Sequence, residues 1–215
     1  MEHSEQSLAA DYDPVAEEYA IHFIDELANK PFDRKMLEWL AERVGNQGVI
    51  CDLGCGPGQV ARYLQTIGYN ACGIDLSAGM VQQAQRLNPG IPFQQGNMLA
   101  LTNVSESSFS GIAAFYSIIH IPKSSVIDAL REIKRVLRPQ GVLLLSFHIG
   151  NQIVQLEEWW EKPVHLEFIF YETEEMKGFL RKAGFNVLES IERDPYPDVE
   201  HQSRRAYIFA EKPAI

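Results

Sequence analysis

The sequence predicts an α/β fold with a doubly wound, mostly parallel sheet, and three observations predict it. Val49 to Val60 runs as a short apolar strand, a turn with three glycines in five residues, and the start of a helix. From Val49 to Phe147 strand patterns alternate with helical ones, the order that crossover helices between parallel strands require. Asn186 to Arg193 and Arg205 to Glu211 then make two strands joined by a loop, a closing antiparallel hairpin.

The elements follow in order. Asp13-Pro14 predicts a helix start, with aspartate as N-cap and proline at the first helical position. A second helix spans Asp33 to Val44, where Met36, Leu37, Leu40 and Val44 share one face. After the glycine turn come a helix from Val60 to Ile67, a Gly68-Tyr69-Asn70 turn, and a second apolar strand in Ala71 to Leu76 that carries Asp75 near its end. Beyond Phe147, Ile149 to Trp160 and Val164 to Tyr171 form an extended pair separated by Glu161-Lys162-Pro163. Thr173 predicts the N-cap of a helix that carries Phe179 and Leu180 and stops at Gly184.

The glycine turn carries the chemistry. Gly54, Gly56 and Gly58 allow positive φ and a close approach of backbone to ligand. The helix that follows aims unpaired N–H groups at the turn and favours a carboxylate or phosphate there. A dinucleotide fingerprint needs G-x-G-x-x-G; this turn is G-x-G-x-G and is led by Asp52. Asp75 alone suits a ribose in either a nicotinamide or an adenosyl cofactor.

Asp52-Leu53-Gly54-Cys55-Gly56-Pro57-Gly58, with Asp75 placed as it is, resembles the glycine motif of the class I, seven-stranded S-adenosylmethionine (SAM)-dependent methyltransferases. Pro92 to Met98 looks like that family's third strand and adenine turn, Ser110 to His120 like its fourth strand and the segment after it, and Leu130 to Gly141 like the helix and turn before a fifth strand, Val142 to Phe147. The similarity covers roughly Tyr12 to Lys212. It implies one domain, with lid helices in 1–45, a cofactor-binding core in 46–148, and an acceptor-side, sheet-completing segment in 149–215.

The resemblance also implies roles. Gly54, Cys55, Gly56 and Gly58 form the turn for the methionine part, with Asp52 nearby holding its amino group. Asp75 takes the ribose hydroxyls. Leu76 and Met80 pack on the adenine, and Gly96, Asn97 and Met98 meet its edge. Tyr19 contacts the cofactor from the lid, and Tyr116 walls the methyl group. His120 and His148, just past the fourth and fifth strands, are the candidate general bases, because histidine accepts protons near neutral pH. The family usually has aspartate where Asn97 stands, and an aspartate and a glycine where Ser110 and Gln140 stand. Plainer roles stay open: Asp52 as a support of the turn, Asp75 as a helix cap, Met80 as core, Tyr12 and Tyr19 as lid packing.

Composition narrows the partners. A net charge of −10 argues against a nucleic-acid substrate. Arg131, Lys134, Arg135 and Arg138 gather at one helix end, where basic residues complement the helix dipole. No apolar run is long enough to span a bilayer, and Met1 to Ala10 is polar and acidic, so a cytoplasmic protein with no membrane partner is expected. Cys51 and Cys72 fall in strands as inert thiols, Cys55 is the more reactive candidate, and no Cys or His is spaced to complete a zinc site. The expected partner is a small-molecule acceptor, and the chain is a monomer or homodimer. Trp159, Trp160, His165, Phe168, Phe170 and Tyr171 serve as core, pocket lining or dimer surface. The alternatives are a SAM-binding protein without catalysis and, by the wrong glycine spacing, a nicotinamide oxidoreductase.

Overall fold

A computed structural model describes residues 5–46 and 48–214; the polar start at 1–4 lies outside the described residues. Seven strands form one sheet: β1 (Val49–Leu53), β2 (Asn70–Asp75), β3 (Phe93–Gln95), β4 (Phe109–Phe115), β5 (Leu137–His148), β8 (Asn186–Arg193) and β9 (Arg205–Glu211). Their order is β3-β2-β1-β4-β5-β9-β8. The first five are parallel, and β9 pairs antiparallel with both β5 and β8. Two strands stand apart as a hairpin, β6 (Ile153–Trp159) and β7 (Lys162–Ile169).

Both faces of the sheet are covered, so its central strands are apolar throughout rather than alternating. Leu143, Leu145 and Phe147 of β5 pack with α6 (Val126–Val136) and α7 (Thr173–Lys182). Val142 and Leu144 face the other way, toward α3 (Pro31–Val44), α4 (Gln59–Thr66) and α5 (Ala78–Leu87). Adjacent residues on opposite faces are the period-two signature of a strand. Two shorter helices, α1 (Glu5–Tyr12) and α2 (Ala16–Phe23), precede this core.

Several local expectations need correction. Asp13 does not cap its own helix: Asp13 to Val15 is a 3-10 turn between α1 and α2, and the Asp13 carboxylate accepts from the Ser77 hydroxyl (2.5 Å) and the Gly79 N–H (2.9 Å) at the start of α5. Thr173 is the first residue of α7, not its cap, and its hydroxyl donates to Glu192 at 2.6 Å. Helix α3 begins at Pro31, whose ring pre-sets the helical φ, two residues before the expected Asp33. Strand β5 starts at Leu137 instead of Val142, because Leu137 already pairs with Phe109 ahead of a bulge. The hairpin turns at Trp160 and Glu161, both at positive φ, while Lys162 and Pro163 belong to β7.

Candidate active site

Strand order reverses between β1 and β4, and in open α/β sheets ligands bind outside the carboxyl ends of strands at such a switch point. A cavity of about 940 Å³ opens there. Its walls come from the turn after β1, the end of β2, the segment after β4, the end of β5, the N-terminal helices and the β6–β7 hairpin.

The glycines are needed for distinct reasons. Gly54 sits at φ +75, and a Cβ there would meet the Ser117 Cβ at 2.3 Å; Ser117 is itself fixed by donating to the Leu53 carbonyl at 2.6 Å. Gly58 sits at φ +87, where a side chain would strike the Phe93 ring at 2.7 Å. Gly56 donates its N–H to Asp75 Oδ2 at 2.8 Å, so turn and carboxylate lock together. Asp75 Oδ1 accepts from the Ser77 N–H at 2.9 Å. The N–H groups of Gly56, Ser77 and Leu76 thus hold the Asp75 carboxylate, which with about four acceptor positions keeps room for a ligand hydroxyl. Burial raises its carboxyl above the usual range.

Of the residues singled out in the sequence, Tyr19, Gly54, Gly56, Asp75, Leu76, Met80, Gly96, Asn97, Met98, Tyr116, His120 and His148 line this one cavity. Asp52, Cys55 and Gly58 do not. Asp52 is 1% exposed beneath the turn and accepts from the Ala61 N–H at 3.2 Å, which makes it a cap for α4. Cys55 is buried against the sheet, and burial pushes its thiol well up, so the expected reactivity gives way to an inert core sulfur. Asn97 turns its own side-chain oxygen onto the Leu99 N–H at 2.9 Å.

The histidines are engaged. His120 Nδ1 lies 2.9 Å from the Glu167 carbonyl and must donate to it; Nε2 then accepts from the Tyr12 hydroxyl at 2.8 Å. Burial lowers its pKa to about 4. His148 contacts the Ser203 hydroxyl through Nδ1 at 2.7 Å and stacks on Phe170, and burial plus Arg205 lower it to about 3. Both rings are neutral at pH 7.

The aromatic segment divides between roles. Trp159, Phe168 and Phe170 line the cavity, Trp160 stacks on Trp159 at 4.6 Å, Tyr171 is core and His165 is exposed. Lys30, Glu200 and Arg205 also line the cavity. No sequence pattern marks these three, because they meet only when the β8–β9 loop folds against the residues before α3.

Comparison with known proteins places this geometry. Residues 50–141 match the family model of a methyltransferase domain. A protein of Geobacillus sp. (strain WCH70) that carries the name methyltransferase is 30% identical, over 89% of this chain and 97% of its own length. The chain belongs to the SAM-dependent methyltransferase family. A malonyl-[acyl-carrier protein] O-methyltransferase of Enterobacter lignolyticus (strain SCF1) is 30% identical over 74% of this chain, which spans 61% of that protein's length. The 1,6-didemethyltoxoflavin-N1-methyltransferase of Burkholderia thailandensis, solved with 1,6-didemethyltoxoflavin and S-adenosylhomocysteine, shares the fold: TM-score 0.74, 20% identity, 97% of this chain and 88% of that one. The methyltransferase's own residues fit the family cofactor, since a hydroxyl-accepting carboxylate, an open glycine turn and the apolar side chains of Leu76, Met80 and Met98 border the same cavity. Among the described residues no helix is long and apolar enough to cross a membrane.

Proposed function

We propose that this protein transfers the methyl group of SAM to a small-molecule acceptor and releases S-adenosylhomocysteine. The observation that carries the reading is the cavity at the switch point. Its volume stands near the top of the roughly 300–1,000 Å³ range of small-molecule sites, and its lining joins a cofactor-like end at Gly54, Gly56 and Asp75 to an aromatic and ionic end at Tyr116, Phe170 and Arg205.

SAM supplies an electrophilic methyl group on a good leaving group, so the protein's share is alignment and exclusion of water. In this reading Asp75 receives the ribose hydroxyls, the methionine part lies along the side-chain-free backbone of Gly54 and Gly56, and Asn97 and Met98 border the adenine. Tyr19 and Tyr12 close the site from the lid. His120 is a positioning residue, since its acceptor nitrogen holds Tyr12. His148, its pKa lowered to about 3, borders the acceptor end as a neutral ring and not as a proton acceptor. Three free cysteines suit the reducing cytoplasm.

The test is calorimetric titration with SAM and, alongside, NAD. Micromolar binding of SAM alone is expected; binding of NAD alone would overturn the reading, and SAM binding without turnover on any acceptor would favour a non-catalytic binder. Asp75→Ala is expected to weaken SAM binding at least about tenfold, as the loss of charge-assisted bonds to two hydroxyls implies. Unchanged affinity in a folded variant would remove Asp75 from the ribose.

A further inference from the structure

The cavity ends in a cluster of charges that cofactor binding leaves unused. Arg205, the first residue of β9, is 2% exposed and still contributes to the cavity wall. Its Nη1 donates to the Ser203 carbonyl at 2.5 Å. Its Nε lies 3.1 Å from Glu200 Oε2, but no hydrogen atom points along that line, and the buried Nε–H has no acceptor among the described residues. No acceptor among the described residues takes the Nη2 hydrogens.

Glu200 cannot make up the deficit. It already takes Arg193 Nη1 at 2.5 Å and Nη2 at 3.2 Å, together with the Tyr196 N–H at 2.8 Å. Asp33, the other acid on Arg193, is pushed up by burial and takes Arg193 and the Tyr207 hydroxyl on Oδ1, while its buried Oδ2 has no partner among the described residues. Lys30, with Nζ at 2.5 Å from Glu26 and 4.0 Å from Glu200, reaches the same region. Its ammonium and the Arg205 guanidinium stand 5.9 and 5.8 Å from the Tyr116 ring centroid. A guanidinium buried with unmet donors is costly unless an anion completes it.

We propose that this pocket receives the carboxylate of the methyl acceptor, with Arg205 as its principal partner and Lys30 as a second cation; the proposal rests on the methyltransferase reading above. The charge count favours a monoanion. Lys30, Arg193 and Arg205 balance Glu26, Asp33 and Glu200 at three charges each, so one carboxylate adds a single negative charge where a phosphate dianion would add two. One carboxylate matches one open guanidinium edge, the geometry in which arginine binds best. The adjoining wall of Leu156, Phe168, Phe170 and Tyr116 is apolar, so the body of the acceptor is apolar as well. The site therefore selects an organic acid over the corresponding neutral compound.

The experiment is calorimetric titration of the full chain saturated with S-adenosylhomocysteine. The probes are butanoate, octanoate, benzoate and phenylacetate, each against its neutral amide, with inorganic phosphate as the competing anion. At least one acid is expected to bind about tenfold tighter than its amide, the size of a charge-assisted pair. Arg205→Gln is expected to bring acid and amide within about twofold of each other while S-adenosylhomocysteine affinity holds, since only the charge-assisted pair is removed. Arg205→Lys, which keeps the charge and loses the fork, should retain part of the preference and guards against a Gln variant that fails to fold. Equal binding of acid and amide in every pair, no binding of any probe, or phosphate tighter than every acid would overturn the proposal. The S-adenosylhomocysteine titration is done first. If it shows no binding, the cofactor reading falls, and the same pairs on the free chain still decide the pocket.

Discussion

Asp52 carries a pH liability although it never reaches the cavity. Burial pushes its carboxyl up to about 8, with the Ala61 N–H as its bonded partner. In the unfolded chain the same group titrates near about 3.9. Between roughly pH 4 and 8 the folded chain therefore binds the extra proton, and stability falls as pH rises through that window. A tenfold change in proton affinity is worth about 1.4 kcal/mol, so the loss across the window amounts to several kcal/mol. Asp52→Asn keeps the acceptor for Ala61 and cannot ionise. The margin by which its melting temperature exceeds that of the parent is expected to grow by several degrees between pH 5 and pH 8.5. Equal decline of both proteins between those pH values, read by differential scanning calorimetry, would show that Asp52 is ionised in the fold. The residue also marks where sequence reading stops. The letters D-L-G-C-G-P-G locate the turn, because only glycine fits at Gly54 and Gly58, but an acid that faces a ligand and one that backs the turn are written alike. Arg205 and Lys30 are harder still, since nothing local distinguishes them from surface charges.

Elements are more legible than residues. Strand and helix periods locate the sheet, and the bounds of β8 and β9 agree with those expected, because apolar alternation between turn signals is a local property. Caps mislead for the opposite reason. Asp13 and Thr173 satisfy the letter preferences of an N-cap, yet their side chains bond α5 and β8, which lie close only in the fold. The bulged first part of β5 shows a departure that does follow from sequence. Gln140, where the resemblance leads one to expect glycine more often, is held at φ +62, with its N–H donated to the Lys212 carbonyl at 2.9 Å. A left-handed conformation costs a non-glycine residue about 1–2 kcal/mol, and the backbone bond does not depend on the side chain. Gln140→Gly should therefore stabilise the protein by about 0.5–1 kcal/mol, after part of the gain is offset by the greater freedom of glycine in the unfolded chain. Urea unfolding with an unchanged slope and a higher midpoint would bear this out; a lower midpoint would mean that the bulge is unstrained.

On the scale of the whole molecule, the N-terminal helices are bonded to the walls of the cavity. Tyr12 bonds His120 after β4, Asp13 bonds the first turn of α5, and Lys162 of the hairpin donates to the Pro14 carbonyl at 2.6 Å. Tyr12, Tyr19 and Phe23 of the N-terminal helices line the cavity together with Asp75 and Met80, so its walls come from both the sheet side and these helices. Binding to such a site should stabilise the molecule as a unit. S-adenosylhomocysteine at a hundredfold excess over its Kd adds about 2.7 kcal/mol, which for a chain of this length is a rise in Tm of about 5–10 °C. Asp13 is exposed and outside the cavity lining, and its bonds join the lid to the helix that follows Asp75. Asp13→Ala removes two bonds, one of them charge-assisted at a helix start, and should weaken S-adenosylhomocysteine about three- to tenfold by loosening the lid alone. At the same ligand concentration the variant's rise in Tm should shrink by about 0.7–1.4 kcal/mol in equivalent stability. Its unliganded Tm should shift far less, because a surface bond contributes little to the core. An Asp13→Ala protein with full ligand affinity would show that the N-terminal helices cover the site without taking part in holding its contents.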